Sequence, residues 1–207
     1  MEFPRTRVRR LVLCLLLTTA ALPAAAQDVP RAEVSGGYQF LNVSVEGEGE
    51  SLGKGWYADV VGNLNRTVGI VFEVGGSYKS ISASETFLDV TGTATVDLRV
   101  HEFMGGVRFN ARPNAQLVPF GQVLVGAVNG SAKISGSASI GGTTIFSTSE
   151  EESATNLGLQ VGGGLNFLLT ERVGVRVGVD YLRVFEEDAG ANLFRFAAGI
   201  VIPFSTR

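Results

Sequence analysis

From about residue 154 to 204 the chain changes character at every second residue. Leu157, Leu159, Val161, Leu165 and Phe167 stand in one phase, with Asn156, Gly158, Gln160, Gly162, Gly164 and Asn166 in the other. Val173, Val175, Val177, Val179 and Tyr181 then oppose Gly174, Arg176, Gly178 and Asp180. A period of two puts alternate side chains on opposite faces of an extended strand and is incompatible with a helix, whose period is 3.6. One face is apolar; the other is polar or very small. Any fold for this chain has to satisfy both faces of nearly every strand.

Eight such segments can be counted, at about 31–45, 53–64, 67–80, 94–109, 117–130, 154–169, 173–185 and 192–204. The third sets Val68, Ile70, Phe72, Val74, Gly76 and Tyr78 against Gly69, Val71, Glu73, Gly75, Ser77 and Lys79. The fourth changes phase: Val96, Leu98 and Val100 precede Phe103, Val107 and Phe109 in the other register, which predicts a β-bulge near His101. The fifth is apolar on both faces; placing Gln122 inside puts Val123, Val125 and Ala127 outside. Connections fall at about 46–52, 65–66, 81–93, 110–116, 131–153, 170–172 and 186–191, and the Ser-, Thr- and Gly-rich third and fifth are read as long loops. Long connections alternate with short ones, the layout of a barrel with short turns at one membrane face and longer loops at the other.

Alternation alone does not say which face meets solvent. Glycine does: 27 of 207 residues is about 13%, against a usual 7% or so, and these residues crowd the polar face. Small residues suit the interior of an eight-stranded closed barrel, which is just wide enough for side chains. A water-exposed face would carry many lysines, and the chain has three: Lys54, Lys79 and Lys133. Aromatics gather near strand ends, among them Tyr38, Trp56, Tyr78, Phe109, Tyr181 and Phe204, as in interfacial girdles. The reading is therefore inverted: apolar residues face lipid and polar residues face inward.

The N-terminus reads as an address. Arg5, Arg7, Arg9 and Arg10 precede an apolar stretch, Leu11 to Leu22, and then Pro23-Ala24-Ala25-Ala26. This predicts a signal peptide over 1–26, cleaved before Gln27, and a barrel domain over 27–207. Twelve apolar residues are too few to span a bilayer as a helix, which takes about 20. The exported part is free of cysteine, since the single Cys14 lies in the address segment. With one His and one Cys, a thiol-based zinc cluster is excluded. A net charge of -3 gives no whole-chain reason to expect nucleic acid.

Four segments carry a family resemblance: Gly36-Gly37-Tyr38-Gln39-Phe40, Glu102 to Phe109, Pro119-Phe120-Gly121-Gln122, and the closing strand Asn192 to Phe204. Over residues 31–204 the chain resembles the OmpA/OmpX-like eight-stranded outer-membrane β-barrels of Gram-negative bacteria, a porin-family small barrel. The resemblance implies an all-β, antiparallel, up-and-down transmembrane barrel, monomeric, with both termini periplasmic. It implies outer-membrane lipids and lipopolysaccharide as surroundings and the barrel-assembly machinery as a partner in biogenesis. In that family the last strand is a targeting signal with outward apolar residues and a terminal aromatic; here these are Phe194, Phe196, Ile200, Ile202 and Phe204.

The register places Glu33, Asp59, Glu73, Glu102 and Asp180 inside, together with Lys79, Arg108, Arg176 and Arg195. Arg108 and Arg176 fall toward the short-turn end, Lys79 and Arg195 toward the other. The expectation is an interior polar network of Asp59, Glu73, Glu102, Arg108, Arg176, Asp180 and Arg195, forming a plug rather than an open channel. A structural or surface-interaction role follows, with a narrow passive pore as the alternative. Neither a cofactor nor a metal site is expected, and no enzyme activity. A lipid-modifying enzyme would need His101 beside a serine and an acid, yet Glu102, its neighbour, points to the opposite face. Acidic groups at Glu46/Glu48/Glu50, Glu150 to Glu152 and Glu186/Glu187/Asp188 are read as solvated loop charges.

Overall fold

The computed structural model describes residues 29–45, 48–114, 116–185 and 190–204. The expected address segment lies outside them. Eight strands follow in order: β1 (Ala32–Val45), β2 (Glu48–Asn63), β3 (Val68–Phe87), β4 (Val90–Asn110), β5 (Leu117–Ile140), β6 (Thr143–Leu168), β7 (Gly174–Phe185) and β8 (Ala191–Phe204). Each pairs antiparallel with the next, and β8 returns to pair with β1 from Ala32↔Phe204 to Ser44↔Asn192, closing the barrel. Closure leaves no unpaired strand edge within the barrel wall, the condition for crossing a bilayer with strands.

The short turns share one device. Asn65 Oδ1 accepts hydrogen bonds from the amides of Thr67 (2.8 Å) and Val68 (2.9 Å). Asn114 Oδ1 does so for Gln116 (3.0 Å) and Leu117 (2.7 Å), and Thr170 Oγ1 for Arg172 (3.2 Å) and Val173 (3.1 Å). A side-chain oxygen taking the amides two and three residues on reverses the chain locally, without help from the rest of the fold.

At the other end the expected loops at 81–93 and 131–153 are replaced by strand. β3 and β4 run on to a two-residue turn at Leu88-Asp89 (φ 46° and 65°), and β5 and β6 to Gly141-Gly142 (φ 55° and 83°). Two consecutive positive φ values match the twist of the flanking strands, as hairpin turns require. Because Val90 to Leu98 also pair with Ile140 to Ala132, the two hairpins form one four-stranded sheet standing beyond the barrel wall.

The phase of the alternation inverts along these strands. Within the wall Ile70, Phe72, Phe103, Val125, Val161, Val177 and Val179 point out and are 37–68% exposed, like Val34 and Phe196. Beyond Tyr78, the outward positions become polar: Ser82, Thr95, Ser135 and Ser149 lie side by side, and the hydroxyls of Ser82 and Thr95 are 3.0 Å apart. Apolar residues take inward positions, with Ile81, Val96 and Ile134 in register, although Glu150 ends that row on β6. The bulge expected near His101 is absent, since pairing runs unbroken through Gly76↔His101↔Asn129. The backbone keeps its register and the environment changes instead. Lipid outside favours one phase, and water outside favours the other. The switch falls at an outward belt where Trp56 Nε1 donates to the Tyr78 hydroxyl (3.3 Å) and that hydroxyl lies 3.2 Å from His101 Nε2. Tyr181, 5.3 Å from Phe194 between ring centres, donates to Asn192 (2.7 Å) in the same belt position on β7 and β8.

Candidate functional site: a charged network across the barrel interior

Inward positions on all eight strands converge on two linked clusters. The first lies nearer the short turns. Asp59 on β2 accepts from Arg108 on β4 (3.4 and 3.3 Å), from Arg176 on β7 (2.5 Å) and from the Ser35 hydroxyl on β1 (2.6 Å). Arg176 also donates to Asn166 Oδ1 (2.8 Å), and Arg108 donates to Gln122 Oε1 through Nε (3.0 Å) and Nη2 (2.6 Å). The Phe120 ring lies under both guanidiniums, its centre 4.6 Å from Arg108 Cζ and 5.0 Å from Arg176 Cζ. This geometry lets the π face offset part of the repulsion between two cations. Glu33 closes the lower side, accepting from Arg112 (2.7 Å) and Asn63 (2.9 Å).

The second cluster is built on Arg195 of β8. It donates to both oxygens of Glu73 on β3 (2.5 and 3.0 Å), a fork-to-fork pairing, and twice to Asp180 Oδ2 on β7 (3.1 and 2.7 Å). Glu102 on β4 lies 3.6 Å away and Gln39 on β1 accepts at 3.3 Å. Gln160 donates to Glu73 (3.1 Å). Gln122 Nε2 donates to Asp180 Oδ1 (2.9 Å) and so joins the clusters.

Asp59, Glu73, Glu102, Arg108, Arg176, Asp180 and Arg195 are each 3% exposed or less. Charges this deep are tolerated only when paired and hydrogen-bonded. Asp59, Glu73 and Asp180 meet that condition against the three guanidiniums, with Gln and Ser filling further valences, whereas Glu102 is held only by the nearby Arg195 charge and both its oxygens are buried without a hydrogen-bond partner. Lys79 and Arg195, grouped at one level by counting along strands, are separated: Arg195 is buried among carboxylates and Lys79 is half-buried. Strand tilt displaces neighbouring strands axially, so residue counts alone do not give height. Ser35, Gln39, Phe120 and Arg112 belong to the network, and the sequence reading assigned none of them to it. The first three stand in the inward phase and could have been found by it. Arg112 sits in a connection, where no phase exists.

His101 faces outward and meets Tyr78 edge-on at 5.6 Å between ring centres, whereas Glu102 faces inward. Phe194, Phe196, Ile200, Ile202 and Phe204 all point outward from β8, 41–54% exposed.

Toward the hairpin end the interior changes again. On β4 Glu102 is followed inward by Val100 and Leu98, on β7 Asp180 by Leu182 and Val184, and on β8 Arg195 is preceded by Leu193. With Leu41, Leu52 and Val128 these side chains belong to one apolar cluster, buried or partly buried.

Comparison with known proteins gives the same architecture. Ail, the attachment invasion locus protein of Yersinia pestis, superposes with a TM-score of 0.56 at 21% identity, covering 84% of this chain and 99% of that one. Neisserial surface protein A superposes with a TM-score of 0.51 at 11% identity, covering 84% and 97%. At these identities the likeness is one of fold. No curated protein matches the chain. A family model described as the outer membrane protein beta-barrel domain matches residues 11–201. With its lipid-facing band and closed eight-stranded wall, this chain is an integral bacterial outer-membrane protein and belongs to the outer membrane protein beta-barrel domain family.

Proposed function

We propose that the chain is a plugged outer-membrane scaffold whose projecting hairpins present a recognition surface, and that it conducts no ions. The observation that carries this reading is the network centred on Asp59 and Arg195, which links side chains of opposite walls across the lumen. An ion passing through would have to break several charge-assisted hydrogen bonds at once, each worth roughly 1.5–3 kcal/mol. Short turns at one end and long hairpins at the other support an orientation with both termini in the periplasm and the hairpins outside. The outward aromatic face of β8, ending in Phe204, supports its use as the segment offered to the assembly machinery. Glu150, Glu151 and Glu152 are exposed on the hairpin sheet, and Arg99 lies 4.0 Å from Glu151, so these acids act as solvated surface charges. The protein functions as a monomer among lipid and lipopolysaccharide.

Planar-bilayer recording on the refolded chain tests the plug. Insertion without unitary current steps is the expected outcome. Reproducible steps that change size in Arg176→Gln would replace the scaffold by a narrow pore.

A further inference from the structure

Above the charged network the barrel interior opens into a cavity of about 650 Å³. Leu52, Leu98, Val128, Val184 and Leu193 line it. The volume lies within the range of small-molecule sites, roughly 300–1,000 Å³, and the apolar lining is the kind such sites have. A mouth built only to hold water would not gain from inward Leu and Val on five strands, since apolar surface facing water is unfavourable. The charged groups at its margin are Arg99, which is already within 4.0 Å of Glu151, and Glu152. With Arg99 so placed the wall offers no spare cation to an anionic ligand, and Glu152, its remaining charge, lies exposed at the rim.

The hairpin sheet supplies a second observation. Its inward face carries Ile81, Val96 and Ile134 in one row that ends at Glu150, immediately beyond Leu98, while its outward face is mostly Ser and Thr beyond a row of Asp97, Lys133 and Glu151. Ile81 and Ile134 are 46% and 60% exposed although they face the barrel axis. An apolar strip, bordered on β6 by Glu150 and Glu152, thus runs from the sheet into the cavity and stops at the Arg195 network.

We infer that this cavity is a binding site for one uncharged hydrocarbon group, entering along the inner face of the hairpin sheet. Its source is either a free apolar molecule or the acyl chain of a lipid. The inference goes beyond the scaffold reading and holds whether or not the barrel conducts, because it depends on the cavity and not on the seal below it.

Photolabelling of the mature chain in phosphatidylcholine nanodiscs tests it. One arm uses a free trifluoromethyl-phenyldiazirine, the other a phosphatidylcholine with the diazirine on its acyl chain, and adducts are mapped by mass spectrometry. Free-probe adducts at Leu98, Val128 and Leu193 that saturate with concentration are expected, against a linear rise at the lipid-facing Phe103, Val125 and Phe194. The same cavity adducts in the lipid arm would assign the site to an acyl chain, and their confinement to the free-probe arm would assign it to a dissolved molecule. Val128→Phe fills the cavity with apolar volume and should lower the cavity adducts about tenfold, a loss of roughly 1.4 kcal/mol, while leaving the lipid-facing ones unchanged. Adducts confined to lipid-facing positions in both arms, or a linear rise at the cavity positions of the wild-type chain, overturn the inference even if the variant does not fold.

Discussion

Arg195→Met is the most direct test of what holds the barrel interior together. The substitution keeps length and apolar volume but removes five hydrogen bonds, two to Glu73, two to Asp180 and one to Gln39. It also leaves Glu73, Asp180 and Glu102, each 3% exposed or less, without the cation that faces all three. Removing one partner of a buried pair costs about 3–5 kcal/mol, because the remaining charge stays desolvated. At 1.4 kcal/mol per decade this is a loss of roughly two to three and a half decades in the folding equilibrium. Trp56, the single tryptophan, reports on it: it lies on the outward face, 44% exposed to the surrounding lipid, and passes into water on unfolding. Urea titration in vesicles, read by Trp56 emission, should show the midpoint falling while the slope stays constant. Glu73→Gln in the Arg195→Met background should cost less than it does alone, with a coupling of about 0.5–3 kcal/mol, since one orphaned charge is then gone. Stability of Arg195→Met within about 1 kcal/mol of wild type, or a cycle without coupling, would show that this network is not what stabilises the interior.

Two further predictions address the faces and the hairpin ends. Val177→Arg puts a cation on the lipid face at a cost of about 2–4 kcal/mol near the midplane, whereas Gln160→Arg adds one beside Glu73 inside. Folding yield into vesicles should fall far more for the first, and equal yields would refute the assignment of faces. Gly142 has φ +83°, so Gly142→Val strains the turn by roughly 1–3 kcal/mol. Amide exchange should quicken at Ser135 to Ser139 with the urea midpoint of the barrel unchanged, and unaltered exchange would mean that this turn does not hold the hairpin.

Much of this protein was legible along the chain. Strand count and the inward phase of Asp59, Glu73, Glu102, Arg108, Arg176, Asp180 and Arg195 follow from a period of two, because alternation is a local property of an extended backbone. Composition misled where it stood in for pairing. Ser and Thr at 81–93 and 131–153 read as loop, yet a hydroxyl-rich strand is stable when its neighbour is equally hydroxylated, as Thr86 and Thr91 show at 2.9 Å. The apparent bulge at His101 had a similar origin. A change of apolar phase looks like an inserted residue when only one strand is seen. Across β3, β4 and β5 together it is a change of solvent, from lipid to water, outside an unbroken ladder.

What the sequence by itself determined is therefore one-dimensional: which residues share a face, and that polar and small residues share the inner one. Only tertiary structure decided who meets whom. Arg176 meets Ser35 across 141 residues and Arg195 meets Glu73 across 122, contacts set by barrel closure and strand tilt. Closure also decided that the inward Leu and Val near the hairpins surround a cavity instead of filling it, since that depends on the width of the ring and on no residue taken alone.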